Sequence, residues 1–285
     1  MKLIVQPEDG LAPLLAEIKR AKKRIDLVIF RFDVSELEEA LQAAVKRGVV
    51  VRALVAHTNR RGEKKLRQLE DRLLGYGVTV DRTADELVRY HGKLLVIDNR
   101  RAFILGFNYT YADIRKSRSF GVMTAKKKVV RQILQLIEAD ANRQNFEGAL
   151  PNLVISPENS RARLGRFIKK ARRELMIYDP NVCDDAMIRL LKARAAAGVR
   201  VRILGNLEKK WRGEDIRVED VPGKRLHVRA IIRDGRDAFV GSQSLRKLEL
   251  DGRREVGIIV RDAKVVGRLV ATFKADWKRS PAPNA

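Results

Sequence analysis

Two of the chain's three histidines open the same pattern. His91 is followed by Gly92, Lys93 and, after four more residues, Asp98. His227 is followed by Val228, Arg229 and, after the same gap, Asp234. Asn108 lies 10 residues beyond Asp98, and Ser244 lies 10 beyond Asp234. Ser119 and Glu255 each follow their histidine by 28 positions, and glycines Gly121 and Gly257 close the two stretches. A histidine nucleophile, a cation for the non-bridging oxygens and a second histidine as acid are what metal-free phosphodiester cleavage requires. His57 has no counterpart in the pattern and is expected in an exposed loop. Cys183, the 1 cysteine, is expected to pack rather than react.

These residues sit on a repeat that covers nearly the whole chain. Residues 3–10 (LIVQPEDG) match 153–160 (LVISPENS), and 18–25 (IKRAKKRI) match 168–175 (IKKARREL), at an offset of 150. The same offset aligns 48–52 with 198–202, whereas the histidines differ by 136, so the second half has lost 14 residues in between. The first half spends them on 59–74, a polar turn and a charged helix. A period this long marks two duplicated domains rather than a solenoid, whose repeats run about 20–50 residues. The expected domains are 1–150 and 151–285, meeting near 148–152.

Each half reads as strands alternating with helices. In the first, strands are expected at 2–5, 25–32, 49–55, 93–97, 102–105 and 120–124. Helices are expected at 11–23, 35–47 and 128–141, with Ser35 as a cap and Gly48 as a stop. The second half repeats the order through 175–178, 184–197, 199–204, 227–233, 238–240, 256–260 and 265–277. This predicts an α/β fold: two homologous α/β sandwich halves, each a mixed sheet with helices, related by a pseudo-twofold axis. Each motif strand then carries its histidine at the entrance. Each half is long enough to bury a core of its own.

The 60 Lys and Arg against 36 Asp and Glu leave a net charge of +24, a field that attracts nucleic acid, anionic membrane surfaces or other polyanions. Basic clusters occur at 19–24, 59–67, 115–118, 126–128, 169–173, 209–212 and 253–254. The helix-end clusters read as solvated faces. Those flanking the motifs, 115–118 and 253–254, are candidates for substrate contact. Aromatic residues make up 6% and are not interleaved with the basic runs, which argues against a base-stacking platform. No run of about 18 apolar residues is present, so no spanning helix is expected. The N-terminal residues do not read as a signal peptide. A lone cysteine fits a reducing compartment, so a cytoplasmic monomer, at most peripheral to a membrane, is expected. The histidines are scattered and the cysteine is alone, so neither metal nor cofactor is expected.

With two H-x-[KR]-x4-D motifs in duplicated α/β halves, the chain resembles the phospholipase D superfamily. That family holds phospholipases, phosphatidylserine and cardiolipin synthases, and metal-independent nucleases. The first motif matches fully in His91, Lys93 and Asp98, followed by Gly106-Phe107-Asn108. The second keeps His227 and Asp234, with Arg229 where the family has Lys and Ser244 where it usually has Asn. Glu255 matches the family's downstream acidic residue, and Ser119 holds that place in the first half.

The resemblance implies a covalent phosphohistidine and no cofactor. Lys93 and Arg229 would grip phosphate oxygens, with Asn108 and Ser244 adding hydrogen bonds. Asp98 and Asp234 are expected to fix local structure and the cations. By the repeat, Glu255 should sit beside His227 and Ser119 beside His91. A carboxylate favours imidazolium, so His91 is expected as nucleophile and His227 as acid. Guanidinium keeps charge and grips phosphate with two hydrogen bonds. Arg229→Lys is expected to keep or raise activity. The implied activity is that of a metal-independent phosphodiesterase or phosphatidyltransferase on phospholipid. A nuclease acting on DNA or RNA is the enzyme alternative, and a polyanion-binding protein with a relic site the non-enzyme one. A lipid would need an apolar rim, for which Phe107, Tyr109, Tyr111 and Trp211 are candidates, though core or turn packing is the expected fate of each.

Overall fold

The computed structural model describes residues 1–58, 63–83, 89–148, 150–208, 215–221 and 223–279. Two mixed sheets form its centre. The first runs, in spatial order, Lys2–Gln6, Ser117–Thr124, Arg101–Leu105, Leu94–Ile97, Arg24–Ile29, Val50–Val55 and Thr79–Arg82. The second runs Leu153–Ile155, Val256–Val260, Asp237–Gly241, Arg229–Arg233, Glu174–Val182, Arg200–Leu207 and Ile216–Glu219. Read this way the two orders are the same, so the sequence repeat is a repeat of topology. Both motif strands sit near the middle of their sheets, where a continuous apolar run can be buried on both faces.

Alternation along the strands divides the core. Leu94 and Val96 face inward with Val28, Ile104 and Val122; Leu95 and Ile97 face outward, under the helices Ala12–Arg20 and Ser35–Lys46. In the second sheet Ala230 and Ile232 face inward, while Ile231 packs outward with Leu164 and Leu191. The inward faces of both sheets meet in one cluster, which also takes in Ile133 and Ile137 of helix Lys127–Ala141 and Leu269 and Phe273 of helix Ala263–Arg279. Each half thus has an outer core of its own, as expected, and shares a central one with its partner. Full burial of a large apolar side chain in that shared core contributes about 1.5–3 kcal/mol, part of it from the contact between the halves.

Local signals explain the element ends. Gly48 and Gly198 stop their helices in the left-handed region, at φ +83° and +80°. Asp184 caps helix Asp185–Ala196, accepting from Met187 N at 3.0 Å. Ser35 does not cap its helix. It is the first helical residue, Val34 precedes it without a side-chain cap, and the Ser35 hydroxyl meets Tyr111 instead. The first helix ends at Arg20, earlier than 23, because Lys22, Lys23 and Arg24 donate their backbone N–H groups to the Asp98 carboxylate. The charged helix of the inserted segment is Glu63–Gly75. Its expected leading turn at 59–62, and the basic residues 209–212 with Trp211, lie outside the described residues.

Two buried arginines tie the halves together. Arg118 is 2% exposed and donates to Asp276 at 2.7 Å, to Glu8 and to Gln6 O. Arg254, at the equivalent place, is 5% exposed and donates to Asp140, Glu158 and Ser156 O. Both sides of these pairs are satisfied, and removing one partner from a buried pair costs about 3–5 kcal/mol. The basic residues flanking the motifs therefore include two that are structural. The expectation of substrate contact at 115–118 and 253–254 fails for Arg118 and Arg254, because their charge is already spent inside.

Candidate active site

His91 and His227 precede their motif strands, Leu94–Ile97 and Arg229–Arg233. Each is fixed through its backbone to the other half. Arg89–Tyr90 pairs in parallel with Arg253–Arg254, and His91 N donates to Arg254 O at 2.8 Å. Arg225–Leu226 pairs in parallel with Ser117–Arg118, and His227 N donates to Arg118 O at 3.2 Å. The pseudo-twofold axis passes through this exchange, and it draws both motifs into one site. The backbones close tightly there: a Cβ on Gly106 would meet Gly241 O at 2.8 Å, so only glycine fits.

The exchange reverses the expected carboxylate pairing. Glu255 follows Arg254, which binds His91, so its carboxylate lies against His91 rather than His227. His91 Nδ1 is 2.8 Å from Glu255 Oε2. Ser119 follows Arg118, which binds His227, and its hydroxyl donates to His227 O at 2.7 Å rather than facing His91. The carboxylate beside His227 comes from Asp113: His227 Nδ1 is 3.2 Å from Asp113 Oδ2. That contact lacks the alignment of a hydrogen bond and pairs charge only when His227 is protonated. Asp113 also accepts from Asn108 N at 2.8 Å, Asn108 Nδ2 at 2.7 Å and Arg225 at 2.6 Å. The sequence carried a signal for it. Asp113 stands in register with Glu249, 136 residues apart, and Glu249 accepts from Ser244 N at 2.8 Å as Asp113 accepts from Asn108 N.

The cations are buried and only partly used. Lys93 is 1% exposed and donates to His91 O at 2.7 Å. Arg229 donates through Nε to Ser244 Oγ at 3.1 Å, lies 3.8 Å from Glu249, and leaves Nη1 buried with no partner among the described residues. An unpaired buried guanidinium N–H is costly, and a phosphate oxygen would satisfy it. Ser244 thus positions Arg229: the longer cation and the shorter hydroxyl residue in the second motif suit each other. Asn108 spends its amide on Asp113, and its Oδ1 has no partner among the described residues. Phe30, which the motif pattern did not point to, packs edge-on against His91 with centroids 4.4 Å apart, and Lys93 lies over its face at 5.2 Å.

Asp98 and Asp234 are not in the site. They lie past the far ends of the motif strands, at φ 52° and 54°, and each accepts three backbone N–H groups, from residues 22–24 and 172–174. They fix local structure, as expected, but not the cations. Phe107 and Tyr109 are buried, so they pack rather than form a rim. His57 is exposed, and Cys183 is half-buried with its thiol pushed up by burial.

Burial governs the electrostatics. It pushes both histidines well below the usual imidazole value, with Lys93 and Arg229 adding to the effect. It lowers Lys93 to about 7 and raises Glu255 to about 7. Burial also works to raise Asp113, but His227, the Asn108 N–H and Arg225 outweigh it and hold Asp113 below the usual carboxylate range. Asp113 therefore keeps its charge beside His227 at neutral pH, whereas the charge on Glu255 beside His91 is held only in part.

Two duplicated mixed-sheet halves, with one histidine and one cation from each drawn toward the axis, define a phospholipase D-type fold. A family model described as "Cardiolipin synthase, PLD-like domain" matches residues 14–141 and 164–277, and the chain belongs to that family within the phospholipase D superfamily. It is 23% identical to Cardiolipin synthase 2 of Bacillus cereus over 98% of this chain and 65% of that protein. The match to Cardiolipin synthase 2 of Bacillus anthracis has the same identity and coverage. The chain thus spans just under two thirds of the length of these curated relatives. Among solved structures, polyphosphate kinase from Porphyromonas gingivalis matches with TM-score 0.79 and 18% identity, over 97% of this chain and 50% of that one. Phosphatidylserine synthase from Haemophilus influenzae Rd KW20 matches with TM-score 0.70 and 12% identity, over 98% and 86%. These likenesses establish the shared fold. No helix among the described residues is long and apolar enough to cross a membrane.

Proposed function

We propose that the chain transfers a phosphoryl-linked group from a phospholipid to an alcohol or water, without a metal, through a covalent phosphohistidine on His91. We take residues 1–150 and 151–285 as its two domains, each supplying half of the site. The observation that carries this is a pair of buried cations, Lys93 with one hydrogen bond and Arg229 with Nη1 unpaired among the described residues, beside two histidines that each have a carboxylate near Nδ1. A carboxylate at Nδ1 leaves Nε2 as the basic nitrogen.

The Nε2 lone pair of His91 forms the bond to phosphorus as the bond to the leaving oxygen breaks. That oxygen takes its proton from His227. His227 then accepts the proton of the incoming hydroxyl, which attacks phosphorus and releases His91. The charge difference supports these roles. His91 is neutral and donates Nδ1–H to Glu255. His227 faces an ionised Asp113. Burial first, with Lys93 and Arg229 adding to it, disfavours its charged form, and an arriving phosphodiester anion offsets those two cations. The relatives named cardiolipin synthase support a glycerophospholipid as the donor to test first.

Phosphatidylglycerol vesicles in excess chelator test this reading. Headgroup release or transfer is the expected result. Cleavage of plasmid DNA without any action on vesicles favours the nuclease, and loss of activity in chelator with rescue by magnesium contradicts the chemistry.

The basic limb of the pH profile follows from Lys93. Held near 7 by burial, it loses its charge above that pH, and kcat/KM is expected to fall there. Arginine stays protonated, so Lys93→Arg should carry the limb to higher pH whatever it does to the maximum. An unmoved limb would assign it to another group.

A further inference from the structure

An open cavity of about 620 Å³ lies at the far end of the second sheet from the histidines. Strand Arg229–Arg233 leads from one to the other: Arg229 is in the active site, and Arg233 lines the cavity, about 13 Å along the strand. The lining carries six basic side chains, Lys126, Arg163, Arg166, Lys170, Arg233 and Arg261, and no acidic one. Three are committed. Arg233 and Arg261 share Asp237 at 2.6 and 2.9 Å, and Arg163 donates to the carbonyls of Leu150 and Leu153. Lys126, Arg166 and Lys170 form no ion pair among the described residues. Burial and the repulsion of Arg166 both push Arg163 down.

A chain of this net charge has many exposed lysines, and the repeat supplies the control. At the offset of 150, Arg163, Arg166, Phe167 and Lys170 correspond to Pro13, Ala16, Glu17 and Arg20. The first-half counterpart is a cavity of about 460 Å³ that carries Glu8, Asp9 and Glu17. There Glu17 neutralises Arg101 at 2.8 Å and Arg20 at 3.5 Å. In the second half Phe167 replaces that acid, and two arginines replace a proline and an alanine. The Phe167 ring stacks under Arg233 at 4.4 Å and holds it in the wall. The duplicated scaffold has thus accumulated positive charge at one of its two equivalent places and compensated it at the other.

We propose that this cavity is a second, non-catalytic site for a compact phosphate-bearing anion, free or as a lipid headgroup. Arg166 on helix Ser160–Lys169, Lys170 just past the end of that helix, and Lys126 in the same lining supply the unspent donors. Lysine and arginine bind such groups through charge-assisted hydrogen bonds.

Calorimetric titration of the full chain with tripolyphosphate at physiological salt, alongside sedimentation with phosphatidic acid vesicles, tests it. Arg166 and Lys170 are exposed, so the double variant R166A/K170A should fold. It is expected to weaken one class of binding by about tenfold or more and to leave phosphodiester transfer unchanged. Arg229→Ala should spare that class. Loss confined to tripolyphosphate identifies a free phosphate ligand, and loss confined to vesicles a headgroup; either supports the site. Unchanged binding of both probes overturns it. So does an equal loss in K19A/K22A, which removes the same charge from the first half.

Discussion

Alanine at His91 is expected to abolish turnover of every phosphodiester, while alanine at His227 spares one step with one kind of substrate. His91, held neutral by burial, supplies the bond to phosphorus in the proposed mechanism. His227 supplies a proton, and the benefit of a positioned acid depends on how poor the leaving group is. With an alkoxide leaving group, His227→Ala should cost about 10²–10⁴-fold. With a nitrophenyl leaving group, which needs little protonation, His91 should still be phosphorylated, and only release of the adduct should slow. Steady-state and burst kinetics on both substrates separate the cases. Equal, substrate-independent losses in the two variants would mean that the histidines do not divide the work this way.

Arg229→Ala is expected to lower kcat/KM by about 10²–10³-fold, the usual loss when one preorganised donor to a developing oxyanion is removed. The guanidinium cannot be replaced by water without cost, since it is buried and held by Ser244 at 3.1 Å. The same contact changes the expectation for lysine. From the motif alone, Arg229→Lys should keep or raise activity. In the structure an ammonium cannot reproduce both the Nε–H donated to Ser244 and the free Nη1, so the single variant should fall severalfold. The double variant R229K/S244N restores the Lys93 and Asn108 combination of the first motif and should recover activity. Full activity in Arg229→Ala would remove the second motif from the site and favour the polyanion-binding alternative.

The parts legible in the sequence were those set by local pattern and by the repeat. Apolar runs marked the motif strands, glycines at 48 and 198 marked helix ends, and two matching motifs gave a fold with one site at its axis. The repeat fixes where a residue lies within its own half, but not which half its neighbour belongs to. Glu255 was therefore expected beside His227. The exchange that carries it to His91 rests on Arg89–Tyr90 with Arg253–Arg254 and Arg225–Leu226 with Ser117–Arg118. Each of these pairings is too short to show periodicity. Asp113 was within reach, since it stands in register with Glu249. The roles of Arg118 and Arg254 were not, because a basic cluster reads alike whether its charges face water or a buried carboxylate.

In the proposed mechanism one chain carries one complete site, in which His91 becomes phosphorylated. Mass spectrometry of the protein quenched during reaction with an activated phosphodiester tests this most directly. The phosphoryl adduct is predicted on the peptide holding His91, in the parent and in His227→Ala, and on no peptide in His91→Ala. An adduct on His227 with His91 unmodified would contradict it, because the ionised Asp113 and the half-charged Glu255 would then not set which histidine attacks.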